Sequence, residues 1–261
     1  DAIMTKETMQ NQTEDFSHLF DDGLGGFESL SADVVAFPFI RILQSLSPQC
    51  KRTDPNHIPG AEEGMFLNNI NNRVIEPPVD VVVGRFDRYF IEWKPNRGGF
   101  VQAHAPEIVA QMEATGELHR NEKNKLISRV GNEFVDTYTY YIVFPDYIED
   151  GICLLCLSST QLKEARRWNR LLTSTFIPGT GRKALPYFMK WTLTTVPMSN
   201  DQGSWAGLHV EFAGFVGKET LQLVTEERKA LPTPEQRLDF TALEAGDASE
   251  AIDVTPGGAT F

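Results

Sequence analysis

The chain has 261 residues, 41% of them hydrophobic and 10% aromatic, a composition that can bury a sizeable core and excludes wholesale disorder. No apolar run approaches the ~18 residues of a membrane helix and no signal-peptide pattern opens the chain, so a soluble protein without a membrane partner is expected. Three cysteines, Cys50, Cys153 and Cys156, are an odd and small number that points to a reducing compartment rather than a disulfide framework. The net charge of −12 seems to argue against nucleic acid, but its distribution does not. Residues 1–36 carry eight acids against Lys6 alone, and residues 239–261 carry five acids and no Lys or Arg. The two ends therefore hold the whole excess and leave the body from 37 to 238 balanced.

In chain order, residues 1–36 read as an acidic, disordered arm. A turn-rich stretch at 53–60 precedes a hairpin, with strands at 65–70 and 73–75 about Asn71-Asn72. Residues 79–93, rich in Val, Phe, Tyr and Ile, form a long strand in which Gly84 marks a bulge or bend. A Gly-rich loop at 96–99 leads to a helix at 106–118, with Pro106 in its first turn and Gly116 near its end. Strands at 137–144 and 152–158 flank an acidic turn. The segment 160–176 has helical periodicity, with Leu162, Ala165, Trp168, Leu171 and Leu172 on one side. After the break at 178–181 come strands at 185–196 and 205–216 about a turn at 199–203, then a short helix at 218–230.

From residue 79 the order is strand, insertion, strand, strand, helix, strand, strand. The fold class expected is mainly β with minor α: an OB-like five-stranded barrel with a helix between its third and fourth strands, plus an N-terminal hairpin and insertions. The domain reading is an arm at 1–36, an OB-like domain at 37–230, and an acidic flexible tail at 231–261.

The strongest local signal lies around the second helix. Lys163, Arg166, Arg167, Arg170, Arg182, Lys183 and Lys190 stand against Glu164 alone, interleaved with Trp168, Phe176, Tyr187, Phe188 and Trp191. Cations neutralise phosphates and flat rings stack on unpaired bases without reading sequence, which is what a single strand requires. Trp168, on the apolar side of the helix, belongs to the core. A second set, Arg85, Arg88, Tyr89, Trp93, Lys94 and Arg97, is a basic-aromatic strand running into the Gly-rich loop and suits the lip of a groove. Alternation places Arg85, Tyr89 and Trp93 on one face, and Phe86, Arg88 and Phe90 on the other.

Enzyme signatures are absent from the sequence. The five histidines have no HxH or HExxH spacing, and no P-loop, GxSxG or Rossmann fingerprint occurs. Gly179-Thr-Gly-Arg-Lys183 precedes a strand rather than a helix and is not a phosphate loop. Asp146, Glu149 and Asp150 read as a solvated turn. Cys153 and Cys156, three apart on a strand, point to opposite faces and read as buried strand cysteines. No metal or other cofactor, and no catalysis, is expected.

Ser158-Ser-Thr-Gln-Leu-Lys-Glu-Ala-Arg-Arg-Trp-Asn169, Lys190-Trp-Thr-Leu-Thr-Thr-Val196 and Ser199-Asn-Asp-Gln-Gly-Ser-Trp205, with Pro38-Phe-Ile-Arg-Ile-Leu-Gln-Ser-Leu-Ser-Pro48 and Glu92-Trp-Lys-Pro95, resemble a group of bacteriophage early proteins regarded as single-stranded DNA-binding proteins. The likeness spans most of residues 37–217. It implies an OB-fold core, coating of single strands during replication or recombination in the cytoplasm of an infected bacterium, and no catalytic activity. Such proteins end in an acidic tail with a terminal aromatic that binds replication or recombination partners, and Phe261 stands in that place here. The acids of this tail are dilute, and none adjoins Phe261. The alternative expectation is a phage interaction module acting on host polymerase or nuclease through the acidic ends. Dimerisation is left open.

Overall fold

The computed structural model describes residues 36–201, 203–231, 238 and 240–243. All but the last residue of the expected arm, and most of the expected tail with Phe261, lie outside them.

The sheet is organised by one strand, β4 (Val79–Trp93), whose first half is Val-rich and buried on both faces, the pattern of a central strand. One edge of β4 pairs along its length with β8 (Glu133–Val143). The other edge is shared: β10 (Met189–Asn200) takes Val79 to Val82, and β5 (Phe100–His104) takes Phe90 to Trp93. Beyond β8 lie β9 (Cys153–Ser158), then β1 (Phe39–Ile42), β2 (Phe66–Asn68) and β3 (Val74–Ile75). Beyond β10 lies β11 (Gly203–Phe215). The β1–β9 pair is parallel, so the sheet is mixed, and it curls into a half-barrel. The protein is mainly β, and among the described residues no helix is long and apolar enough to cross a membrane.

Gly84 is where β4 slips against β8: Val83 faces Ile142, while Arg85 faces Tyr141. The bulge expected from the sequence is therefore present. Arg228 donates from Nε to the Gly84 carbonyl at 3.0 Å, and a Cβ at Gly84 would meet Arg228 Cγ at 3.2 Å.

The concave face holds Val81, Tyr140, Trp191 and their neighbours, closed by Trp168 and Leu172 of α2 (Leu162–Ser174). The convex face holds Val82, Tyr141 and Leu154 under Val224 of α3 (Lys218–Glu227) and under Phe240. Phe240 is fully buried, with its ring centroid 5.6–6.0 Å from those of Phe39, Tyr89 and Phe100. Residues 238–243 thus contribute to the core, within the stretch expected to be tail.

The insertion between β4 and β8 holds β5, α1 (Pro106–Ala114), β6 (Leu118–Arg120) and β7 (Leu126–Ser128) around Val109, Leu118, Leu126 and Phe134. α1 ends four residues before the expected boundary. Gly116, at φ +74°, turns the chain, and Leu118 enters a strand instead.

The free edge of β11 is met by side chains instead of a strand. Gln44, just past β1, donates to the Ala206 carbonyl at 3.1 Å and accepts from the Ala206 amide at 2.9 Å. Its amide occupies the position of a neighbouring peptide and bridges β1 to β11. Replacing Gln44 with Ala leaves buried backbone groups of Ala206 unpaired and should cost about 1–3 kcal/mol. Urea unfolding checks this, with a lower midpoint and an unchanged slope expected.

Candidate nucleic-acid interface

Helix α2 presents two unlike sides because of its spacing. Ala165, Trp168 and Leu172 face inward, and the Trp168 ring stacks on Tyr140 at 4.2 Å, so Trp168 is core as expected. Lys163, Arg166, Arg167 and Arg170 fall at i, i+3, i+4 and i+7 and are exposed. Arg167 differs from the others. It grips Glu164 through both Nε and Nη2 and donates to the Val210 carbonyl, while the Val210 amide donates to Glu164 Oε1 at 2.8 Å. This ion pair satisfies both backbone groups of Val210 at the β11 edge and pins the helix there. Arg167 is thus a structural cation, whereas Lys163, Arg166 and Arg170 have no ion-pair partner among the described residues.

The loop after α2 folds back through a bridge between Phe176 and Lys183. Arg182 and Lys183 are exposed on it, with no ion-pair partner among the described residues. The Phe176 ring is 54% exposed. Two further rings, which the sequence reading did not single out, complete this side: Phe212 and Phe215, 45% and 39% exposed. Three apart on a regular strand they would face opposite ways. Ala213 is an extra residue, however, so Phe212 sits opposite Trp191 and Phe215 opposite Met189, both inward-facing positions. A chain of ring contacts runs from Trp168 to Trp191 (6.1 Å), Phe212 (5.4 Å) and Phe215 (5.4 Å), ending in solvent.

The set at 85–97 is only partly available. Arg85 pairs with Asp87 at 2.7 Å and lies over the Tyr141 ring at 4.2 Å. Arg88 holds Asp136 with two 2.8 Å hydrogen bonds, and Lys190 pairs with Asp80 at 2.7 Å. Trp93 is 2% exposed and packs on Phe100, which removes its ring from any ligand surface. Tyr89 is half-buried against Phe240, and Tyr187 lies half-buried beneath the Arg228 guanidinium at 3.9 Å. Lys94 is exposed. Arg97 is the member that approaches α2: with Lys125, Ser159 and Leu162 it lines a crevice of about 560 Å³ between the insertion and the start of the helix.

A family model described as Pam3 phage gp34-like protein matches residues 5–230. The chain belongs to the Pam3 phage gp34-like family. No curated protein and no solved structure is significantly similar to it. The match covers the whole described sheet, α1 to α3 and every exposed cation named above. It agrees with the phage part of the resemblance, and the family description names no activity.

Cys153 faces the concave core and Cys156 packs toward the convex one, as the three-residue spacing requires. Burial pushes the Cys153 thiol up to about 12. Among the described residues no three His, Cys, Asp or Glu side chains gather as a metal site would need.

The Glu164 carboxyl is pushed up by burial. The hydrogen bonds from Arg167 and Val210, with the charges of Arg167 and His209, outweigh this and hold its pKa below the ordinary carboxylate value. A carboxyl lowered by folding contributes stability that is complete above the unfolded-state pKa of about 4.3 and is lost as pH falls through the folded value. Thermal unfolding of Glu164→Gln should therefore show a lower Tm at neutral pH and a shallower loss below about pH 4.3 than the parent.

Proposed function

We propose that this phage protein binds single-stranded DNA without strong sequence preference, coating it during replication or recombination, and is not an enzyme. The observation that carries the reading is the side of α2 and β11 where five exposed cations, Lys163, Arg166, Arg170, Arg182 and Lys183, lie beside the exposed rings of Phe176, Phe212 and Phe215. Cations without carboxylate partners can exchange counterions for phosphates, and rings at a surface can take stacked bases. The cations at 85, 88, 167 and 190 are already neutralised by acids and contribute little.

The strand order supports an OB-like reading of β4, β8, β9, β10 and β11 with α2 between the third and fourth. In that reading β1 is inserted at the closing seam between β9 and β11. Capture of replication or recombination proteins by the acidic tail ending at Phe261 belongs to the same proposal, as does action in the cytoplasm of the infected cell.

The test is fluorescence anisotropy of labelled oligo-dT across a salt series. Three of the four tryptophans are buried, so quenching is the poorer signal. Affinity should fall steeply with salt and exceed that for duplex. Arg166→Ala, Arg170→Ala and Arg182→Ala combined should flatten the log–log slope by about 2, at roughly 0.7 per phosphate contact. Arg167→Ala should lower Tm far more than it changes that slope. Phe212→Ala with Phe215→Ala should weaken oligo-dT by about 1–3 kcal/mol per stacked base. Salt-independent binding, or no binding with capture of host polymerase or nuclease instead, favours the interaction-module reading.

A further inference from the structure

A second concavity lies apart from the α2 surface, between β1, β8, β9 and the turn entering α2. It is a cleft of about 860 Å³ including its open mouth, within the range of small-molecule sites. Arg41 of β1 and Arg97 of the insertion both line it, and no Asp or Glu is among its described lining residues. Its charge therefore favours an anion. Thr137 and Ser158 add hydroxyls to the wall, and Ile91 and Trp93 add apolar surface. Gln161 also lines the cleft, and its Oε1 is buried with no hydrogen-bond partner. A buried acceptor left unpaired costs about 1–3 kcal/mol, which a donor brought by a ligand would relieve.

We propose that this cleft binds a nucleoside monophosphate. Its phosphate would meet the Arg41 and Arg97 guanidiniums, and an N–H or O–H of the base or sugar would donate to Gln161. Inorganic phosphate satisfies the arginines alone, leaving the apolar wall and Gln161 unmet, so the chemistry selects the larger anion. None of Lys163, Arg166, Arg170, Arg182 and Lys183 lines the cleft, so the site stands or falls separately from strand coating.

Isothermal titration of the full chain with dTMP, dAMP and AMP, and separately with inorganic phosphate, tests this. One saturable site per chain is expected for the nucleotides, with phosphate weaker by about tenfold or more. Arg41→Ala should weaken nucleotide binding by about tenfold or more, and Gln161→Leu by several-fold. Should Arg41→Ala fail to fold, Arg41→Lys keeps the charge and loses the fork, and should weaken binding in the same direction. The combined Arg166, Arg170 and Arg182 variant should bind nucleotide as the parent does. No saturable heat, phosphate equal to nucleotide, or affinity unmoved by Gln161→Leu and the folded Arg41 variant would overturn the proposal. So would loss of nucleotide binding in the α2 variant.

Discussion

A curled sheet has a last edge, and unpaired backbone groups along it must find partners or invite other chains. Here the edge of β11 is closed at two points by side chains: Gln44 at Ala206, and the Glu164–Arg167 pair at Val210. Both points lie on the same side of the strand, four residues apart, so each reaches a residue whose amide and carbonyl turn away from β10. The first contact ties the N-terminal part of the chain to the C-terminal part of the sheet. The second fixes how α2 lies on the barrel, and much of the surface chemistry follows from it. With Arg167 consumed by the edge, the neighbouring cations of the same helical stripe are turned outward beside the end of β11.

Two kinds of arginine and lysine result. Those that close the structure are paired with acids or carbonyls: Arg85 with Asp87, Arg88 with Asp136, Arg167 with Glu164, Lys190 with Asp80 and Arg228 with Gly84. Those on α2 and the following loop have no such acids among the described residues. A chain whose formal charge is −12 can thus carry a cationic surface, because its excess acids sit at the two ends of the sequence. The field near a surface depends on the local arrangement, and over distances beyond about 8–10 Å at ordinary salt the acidic ends are largely screened.

The alternation in β4, the strand-length runs of β8 and β9, the helical period of α2, and the turn between β10 and β11 made those elements legible, because each depends on neighbours in sequence. The parallel pairing of β1 with β9 joins segments more than a hundred residues apart, and no local pattern announces it. The strands of the insertion are three to five residues long, too short for a period to register. At the candidate interface the cationic run of α2 could be read directly, but the role of Arg167 could not, since it depends on where Val210 lies. Trp93 looked like a stacking ring because its partners Phe100 and Phe240 arrive from elsewhere. Phe212 and Phe215 were missed for the converse reason: only the extra residue at Ala213 puts them on one side.

The central claim is that a single strand lies along α2, the loop after it and the end of β11. Photo-crosslinking of the full chain to an oligonucleotide of bromodeoxyuridine, mapped by mass spectrometry, addresses it most directly. The account predicts adducts at Phe176, Phe212 or Phe215 and on peptides spanning 163–185, lost when unlabelled oligo-dT competes. Adducts confined to the convex face, around α3 and Tyr187, or to residues 39–75, would contradict it.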